Sequence, residues 1–132
     1  AFVQPILRLG KNIERDSRAR LEIDACRLMV LPAAKAMDTL GHTEARVYVS
    51  AIKAMVPEKV CTIIDQAIQM HGATGVSQWT PLARMYTGQR TLRIADGPDE
   101  VHHMVVGRNE VRKYEGEAYT AIDDKLRNKP IR

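Results

Sequence analysis

The stretch Arg93-Ile94-Ala95-Asp96-Gly97-Pro98-Asp99-Glu100-Val101-His102 joins two segments of helical pattern through an acid, a glycine and a proline. Gly97 permits a sharp turn, and Pro98 suits the first helical position, where its missing N–H would have no partner anyway. Asp99 and Glu100 then fall in the first turn of the next helix, where the helix dipole favours negative charge. Asp96 is left in a corner between two helices. It reads either as an Asx turn or cap, or as a carboxylate held out from a rigid frame.

Working outward, the flanking segments share one period. Ile23, Cys26, Val30, Ala33, Met37 and Leu40 follow steps of three and four, the mark of a helical stripe facing a partner. Leu21, Leu28 and Leu31 flank it, which predicts a helix over about 11–40 buried on more than one side. Gly41 predicts a left-handed cap, and Thr43 can cap a second helix to about His71. In that helix Val49, Ile52, Val56, Val60, Ile63, Ile64, Ala67 and Ile68 point inward. Pro32 and Pro57 predict a kink in each helix. Two long helices joined at a tight glycine turn make an antiparallel hairpin.

After the hairpin comes the loop Gly72-Ala73-Thr74-Gly75. Thr80 reads as an N-cap with Pro81 at the first helical position of a third helix to about Ile94. A fourth helix is expected from Pro98 to about Glu115, with Val101, Met104, Val105 and Val111 inward. No alternating strand pattern persists. The fold class expected is all-α, an antiparallel four-helix bundle over residues 1–118, with a charged, frayed tail over 119–132.

Composition agrees with an aliphatic, helical core. The 132 residues suffice for one domain, 45% are hydrophobic, and only 5% are aromatic. The formal net charge of +4 permits an anionic partner without implying one, so nucleic acid is not an expected partner. Cys26 and Cys61 lie in helical patterns without motif spacing and read as reduced core thiols of an intracellular protein. No apolar run suits a membrane span, and no signal peptide is visible. Ala1 opens within what reads as continuing sequence, so the chain is expected to be a part of a longer protein.

Few residues suggest chemistry on their own. His102 and His103 are adjacent and point to different sides of a helix, while His42 and His71 stand alone, so no metal site is expected. The glycine loop follows a helix instead of opening one, unlike a P-loop, although bare N–H groups there can approach a phosphate. Arg8, Lys11, Arg15, Arg18, Arg20 and Arg27 interleave with Glu14, Asp16, Glu22 and Asp24, the pattern of a solvated helix face.

Three runs together carry a resemblance. They are Ile64-Asp65-Gln66-Ala67-Ile68-Gln69-Met70-His71-Gly72-Ala73-Thr74-Gly75-Val76-Ser77, Pro81-Leu82-Ala83, and Leu92 through His102. In this spacing they resemble the C-terminal helical domain of acyl-CoA dehydrogenases, in the branch that carries Ala-Asp-Gly-Pro-Asp-Glu-Val-His where most members have Glu-Gly-Thr. Ser17-Arg18-Ala19-Arg20-Leu21-Glu22-Ile23-Asp24-Ala25-Cys26-Arg27-Leu28 resembles that branch's long helix.

The resemblance implies an FAD-dependent oxidoreductase that dehydrogenates acyl-CoA thioesters between the α and β carbons. It puts Asp96 in the place of the carboxylate that removes the α proton. It puts Phe2 where an aromatic packs on the flavin, and Gln69, Gly72 and Ala73 in the loop that approaches the FAD of a neighbouring subunit. Glu100 falls where the cofactor's adenosine half is contacted. Ala73 replaces a second glycine, Pro98 a threonine, and Thr87-Gly88 an Arg-Asp. Because the resemblance covers only the last domain, the isolated chain is expected to be inactive and not to retain FAD. Self-association through the bundle is implied, with a bacterial cytoplasm or mitochondrial matrix as the compartment. The alternative is a non-catalytic helical assembly module lacking the FAD-binding and N-terminal domains.

Overall fold

The structure, a computed structural model, describes residues 5–115. Phe2 and the tail over 119–132 lie outside the described residues, as does the domain boundary at 118. Among the described residues every regular element is helical. A 3₁₀ turn, Ile6–Arg8, leads into the long helical run α1, Gly10–His71. Asn12 is buried and ties the two together by donating from Nδ2 to the Ile6 carbonyl (2.9 Å).

Within α1 the backbone leaves helical geometry only at Gly41, with φ 77° and ψ 173°. A side chain there would have open space, so the dihedral angles alone demand glycine. The ψ value is extended, and Gly41 is therefore a sharper hinge than the left-handed cap expected from the sequence. Pro32 and Pro57 lie inside the run without interrupting its helical dihedrals. The break falls at the glycine and not at either proline.

The two arms of α1, residues 10–40 and 42–71, run antiparallel. Lys59 of the second arm donates to Glu22 Oε1 of the first at 3.0 Å. The most buried side chains among the described residues are small: Ala33, Ala45 and Ala54 are 1%, 0% and 2% exposed. Cys26 and Cys61 are buried free thiols, and burial is the main cause that pushes the Cys26 thiol up from its ordinary value, with Glu22 adding to it. The large residues of the first-arm stripe behave differently from the expectation. Ile23, Val30, Met37, Leu40, Leu21, Leu28 and Leu31 are all exposed in this chain. Small residues let the two backbones come close, and the bulky neighbours are left on the flanks.

After the short α2 (Ala73–Val76), α3 (Leu82–Leu92) and α4 (Asp99–Arg112) complete the four-helix bundle with the two arms of α1. Both α3 and α4 pack on α1 and not on each other. Val101, Met104 and Val111 of α4 are exposed, against expectation, while His102, Val105, Val106 and Asn109 are half-buried. The inward face of α4 is thus rotated one residue from the one read in the sequence. Thr80 does not cap α3. Its hydroxyl donates back to the carbonyls of Thr74 (3.3 Å) and Gly75 (3.4 Å), and Pro81 occupies the N-cap.

Gly75 is a close-approach glycine. An added Cβ would stand 2.6 Å from the Ile68 carbonyl oxygen and 2.9 Å from its Cα, both backbone atoms. Gly75→Ala is expected to destabilise the chain by about 1–3 kcal/mol through overpacking. Gly107→Ala, in open space on exposed α4, is expected to be neutral or stabilising by up to about 1 kcal/mol. Thermal denaturation of the two variants side by side checks this, and equal midpoints would mean that the Ile68 contact relaxes away.

Candidate functional site

The corner between α3 and α4 is tightly constrained. Asp96 has φ 57° and is the only non-glycine residue with positive φ among the described residues. Gly97 follows with φ 101°, and Pro98 takes the N-cap of α4 with φ −68° and ψ 161°, one position before the place its sequence suggested. Aspartate tolerates the left-handed region better than most residues, yet one such residue still needs a frame that holds it.

The frame comes from five side chains: Lys53, Ser50 and His102 across the corner, with Arg93 and Asp99 at its ends. Lys53, on the second arm of α1, donates to the carbonyls of Leu92 (2.5 Å) and Gly97 (3.2 Å). His102 Nε2 lies 3.2 Å from the Asp96 carbonyl oxygen, and Nδ1 lies 3.4 Å from Ser50 Oγ. A carbonyl only accepts, so Nε2 carries the proton, and in the neutral ring Nδ1 accepts from the Ser50 hydroxyl. The His102 ring sits so close that a Cβ on Gly97 would be 3.0 Å from it. Gly97 is therefore required twice, by its φ and by this ring.

Arg93 and Asp99 bracket the turn. Arg93 Nε donates to Asp99 Oδ2 at 2.5 Å, and the Asp99 N–H donates to the Arg93 carbonyl (3.2 Å). Asp99 is 7% exposed, and its Oδ1 is buried without a hydrogen-bond partner. Its hydrogen bond is the largest cause raising the Arg93 guanidinium above its ordinary value, against a smaller opposing effect of burial. Asp99 is therefore a buried half of an ion pair, not only a first-turn acid complementing the dipole.

With its backbone fixed on both sides, Asp96 keeps an exposed side chain. It lines an apolar groove of about 400 Å³ whose other walls are Val30, Val49, Ile52, Val56 and Pro57, with Lys53 and His102. The corner thus sets an acidic residue beside an apolar surface.

The other residues singled out from the sequence lie elsewhere. Glu100 is exposed in the first turn of α4. Gln69, Gly72 and Ala73 are exposed at the far end of α1, sixteen residues and more beyond Lys53, roughly 24 Å along the axis. Gly72 has φ 58° and ψ −141°, with open space around its Cα. One chain does not bring this loop to the corner. Among the described residues no group of three His, Cys, Asp or Glu side chains is arranged to hold a metal ion, and no helix is long and apolar enough to cross a membrane.

Sequence reasoning passed over Lys53, Ser50 and the Arg93–Asp99 pair, and read His102 only for its neighbour His103. Lys53 did carry a signal. It is a charged residue between Val49 and Ile52 on one side and Val56 on the other, inside an apolar stripe, and a buried stem with a polar tip needs a nearby acceptor.

The fold and corner together define a helical domain that presents one strained carboxylate beside an apolar groove. The chain belongs to the acyl-CoA dehydrogenase family: the family's C-terminal domain matches residues 13–111. It is 46% identical over 113 residues to the probable acyl-CoA dehydrogenase FadE2 of Mycobacterium tuberculosis, covering 86% of this chain and 28% of that protein. It is 49% identical over 96 residues to acyl-CoA dehydrogenase family member 11 of Rattus norvegicus, covering 73% of this chain and 12% of that protein. Among solved structures, a putative acyl-CoA dehydrogenase from Mycobacterium abscessus superposes with a TM-score of 0.81 at 48% identity, over 86% of this chain and 28% of that one. Butyryl-CoA dehydrogenase from Megasphaera elsdenii shares the fold, with a TM-score of 0.76 at 23% identity over 84% and 28% of the two chains. The chain thus spans less than a third of the length of each of these relatives.

Proposed function

We propose that this chain is the C-terminal helical domain of an FAD-dependent acyl-CoA dehydrogenase in which Asp96 removes the α proton of the acyl-CoA thioester. The observation that carries the reading is the left-handed, exposed Asp96, held by Lys53 and His102 beside an apolar groove. A base acts only when its oxygen has fixed reach to one C–H bond, and a stapled corner supplies that reach. The apolar groove walls suit an acyl chain. Asp is one methylene shorter than Glu, about 1.5 Å of reach, so the substrate α carbon must come closer to the corner. A branched or hydroxylated acyl group is a substrate that such a geometry accommodates.

The residues toward FAD fit an edge contact and not a pocket. Gln69, Gly72 and Ala73 offer exposed polar and backbone groups around an open, positive-φ glycine, and Glu100 is exposed at the start of α4. When bound, FAD supplies the acceptor for the β hydrogen. The roughly 24 Å along α1 supports a reading in which the Gln69–Ala73 loop serves the cofactor of a second subunit. Most of the flavin pocket belongs to other domains, so the isolated chain does not retain FAD and is inactive alone. We place the protein inside the cell, in the bacterial cytoplasm or the mitochondrial matrix, in keeping with its two buried free thiols.

The test is anaerobic mixing of the full-length, flavin-loaded protein with acyl-CoA thioesters of graded length and branching. Bleaching of the flavin with release of the enoyl thioester is expected. A full-length protein that bleaches with none of them would favour the assembly module instead. Assembly has its own prediction, motivated by the exposed Leu21, Leu28 and Leu31 on the first arm. Such a stripe favours pairing between copies. Sedimentation of the isolated chain at high micromolar concentration is expected to show dimers or larger species, and a monomer throughout would count against it.

A further inference from the structure

Lys53 is half-buried on the second arm of α1, and it lines the same apolar groove as Asp96. Putting an ammonium there costs desolvation unless strong acceptors meet it. No carboxylate pairs with it among the described residues, and its two partners are backbone carbonyls. One is Leu92 O, at the last residue of α3, where the helix leaves its carbonyls without internal partners and its dipole is negative. The other is Gly97 O, directly after Asp96. A single cation therefore grips both ends of the corner that carries Asp96 in its left-handed conformation.

We propose that Lys53 is the positioning residue of Asp96, setting the reach of the carboxylate by clamping the carbonyls on either side of it. This inference rests on the reading of Asp96 as the base. Lys53 touches neither end of the proton transfer. It acts through the backbone of residues 92–97, and His102 adds a second hold at the Asp96 carbonyl. Without the clamp only His102 still holds the Asp96 backbone, and Asp96 can relax toward φ below zero, the region favoured by residues with a Cβ. The carboxylate then swings by an ångström or more, and a misplacement of that size costs on the order of 10²-fold in rate.

The experiment compares Lys53→Met, Lys53→Arg, Asp96→Asn and the double variant Lys53→Met/Asp96→Asn in the full-length, flavin-loaded protein. The probe is whichever of butyryl-, octanoyl- or isobutyryl-CoA bleaches the unaltered protein fastest. Lys53→Met is expected to slow bleaching at saturating acyl-CoA by about 10- to 100-fold. Lys53→Arg, which keeps the charge and the donors, is expected to recover most of that loss. Added to Asp96→Asn, Lys53→Met should slow the residual rate by less than about twofold, because a residue that acts through Asp96 has nothing left to position. A Lys53→Met effect that multiplies undiminished with Asp96→Asn, or no effect of Lys53→Met at all, overturns the proposal. If Lys53→Met does not fold, Lys53→Gln takes its place with the same expected pattern.

If Asp96→Asn alone bleaches at the full rate, the assignment of the base has failed, and the clamp is then read from structure. In the 132-residue chain, Lys53→Met should shift the amide resonances of Asp96 and Gly97 while leaving those of the 10–40 arm in place. Unmoved corner resonances overturn the clamp independently of any activity.

Discussion

Asp96→Asn in the full-length protein is expected to lower turnover by a factor on the order of 10² to 10⁴ while leaving flavin and acyl-CoA binding nearly intact. The substitution keeps the size and shape of the side chain and removes only its capacity to take a proton. Asparagine also tolerates the left-handed conformation seen at this position, so the corner should survive the change. The backbone bonds that hold it go to the carbonyls of Leu92, Asp96 and Gly97, none of which the substitution alters. Glu100→Gln, exposed one turn away, should be far milder. Flavin bleaching under anaerobic conditions measures both, and a wild-type rate for Asp96→Asn would leave Asp96 a turn residue only.

Arg93→Met is expected to cost about 3 kcal/mol of stability, the lower end of the range for stranding one partner of a buried ion pair. The lower end applies because the Arg93 side chain is 32% exposed while that of Asp99 is only 10% exposed. Removing the guanidinium leaves a carboxylate with neither oxygen bonded by a side chain, since Oδ1 already lacks a partner. Asp99→Asn should cost less, because the Arg93 left behind can turn to water. Asp99 is therefore not the mild surface acid its place in the first turn implied, since its neutralisation also disturbs a buried contact beside the corner. Replacing both residues with apolar ones should recover part of the loss. Urea denaturation of the three variants checks the order, and a cost for Arg93→Met below about 1 kcal/mol would class the pair with ordinary surface bridges.

Those surface bridges were legible in the sequence. Lys11–Glu14 and Arg18–Glu14, at 2.7 and 2.8 Å, lie on the exposed first arm as the interleaved charges implied. Helix content, the turn at Gly41 and the corner at Gly97 were legible too, because each rests on a local preference: a period of three to four, or a φ that only glycine accepts cheaply. The motif around Asp96 was legible for a similar reason, since its residues are neighbours in the chain.

Other features were decided by contacts between distant segments. Periodicity identifies a helix face as apolar, but it does not say whether anything covers that face. Ala33, Ala45 and Ala54 became the most buried side chains while Leu21, Leu28 and Leu31 stayed outside, because close backbone approach rewards the smallest side chains and leaves large ones at the flanks. The orientation of α4 likewise followed from His102 reaching Ser50 across the bundle, a bond no local pattern encodes. Lys53 and Asp96 stand far apart in the chain, and only folding brings the ammonium onto Gly97. By itself the sequence determined the helices, the hinge glycines and the place of the Asp96 carboxylate between two helices, all set within a few bonds. Only the tertiary structure decided which side chains hold that carboxylate in place, because hydrogen bonds across a bundle depend on which faces meet.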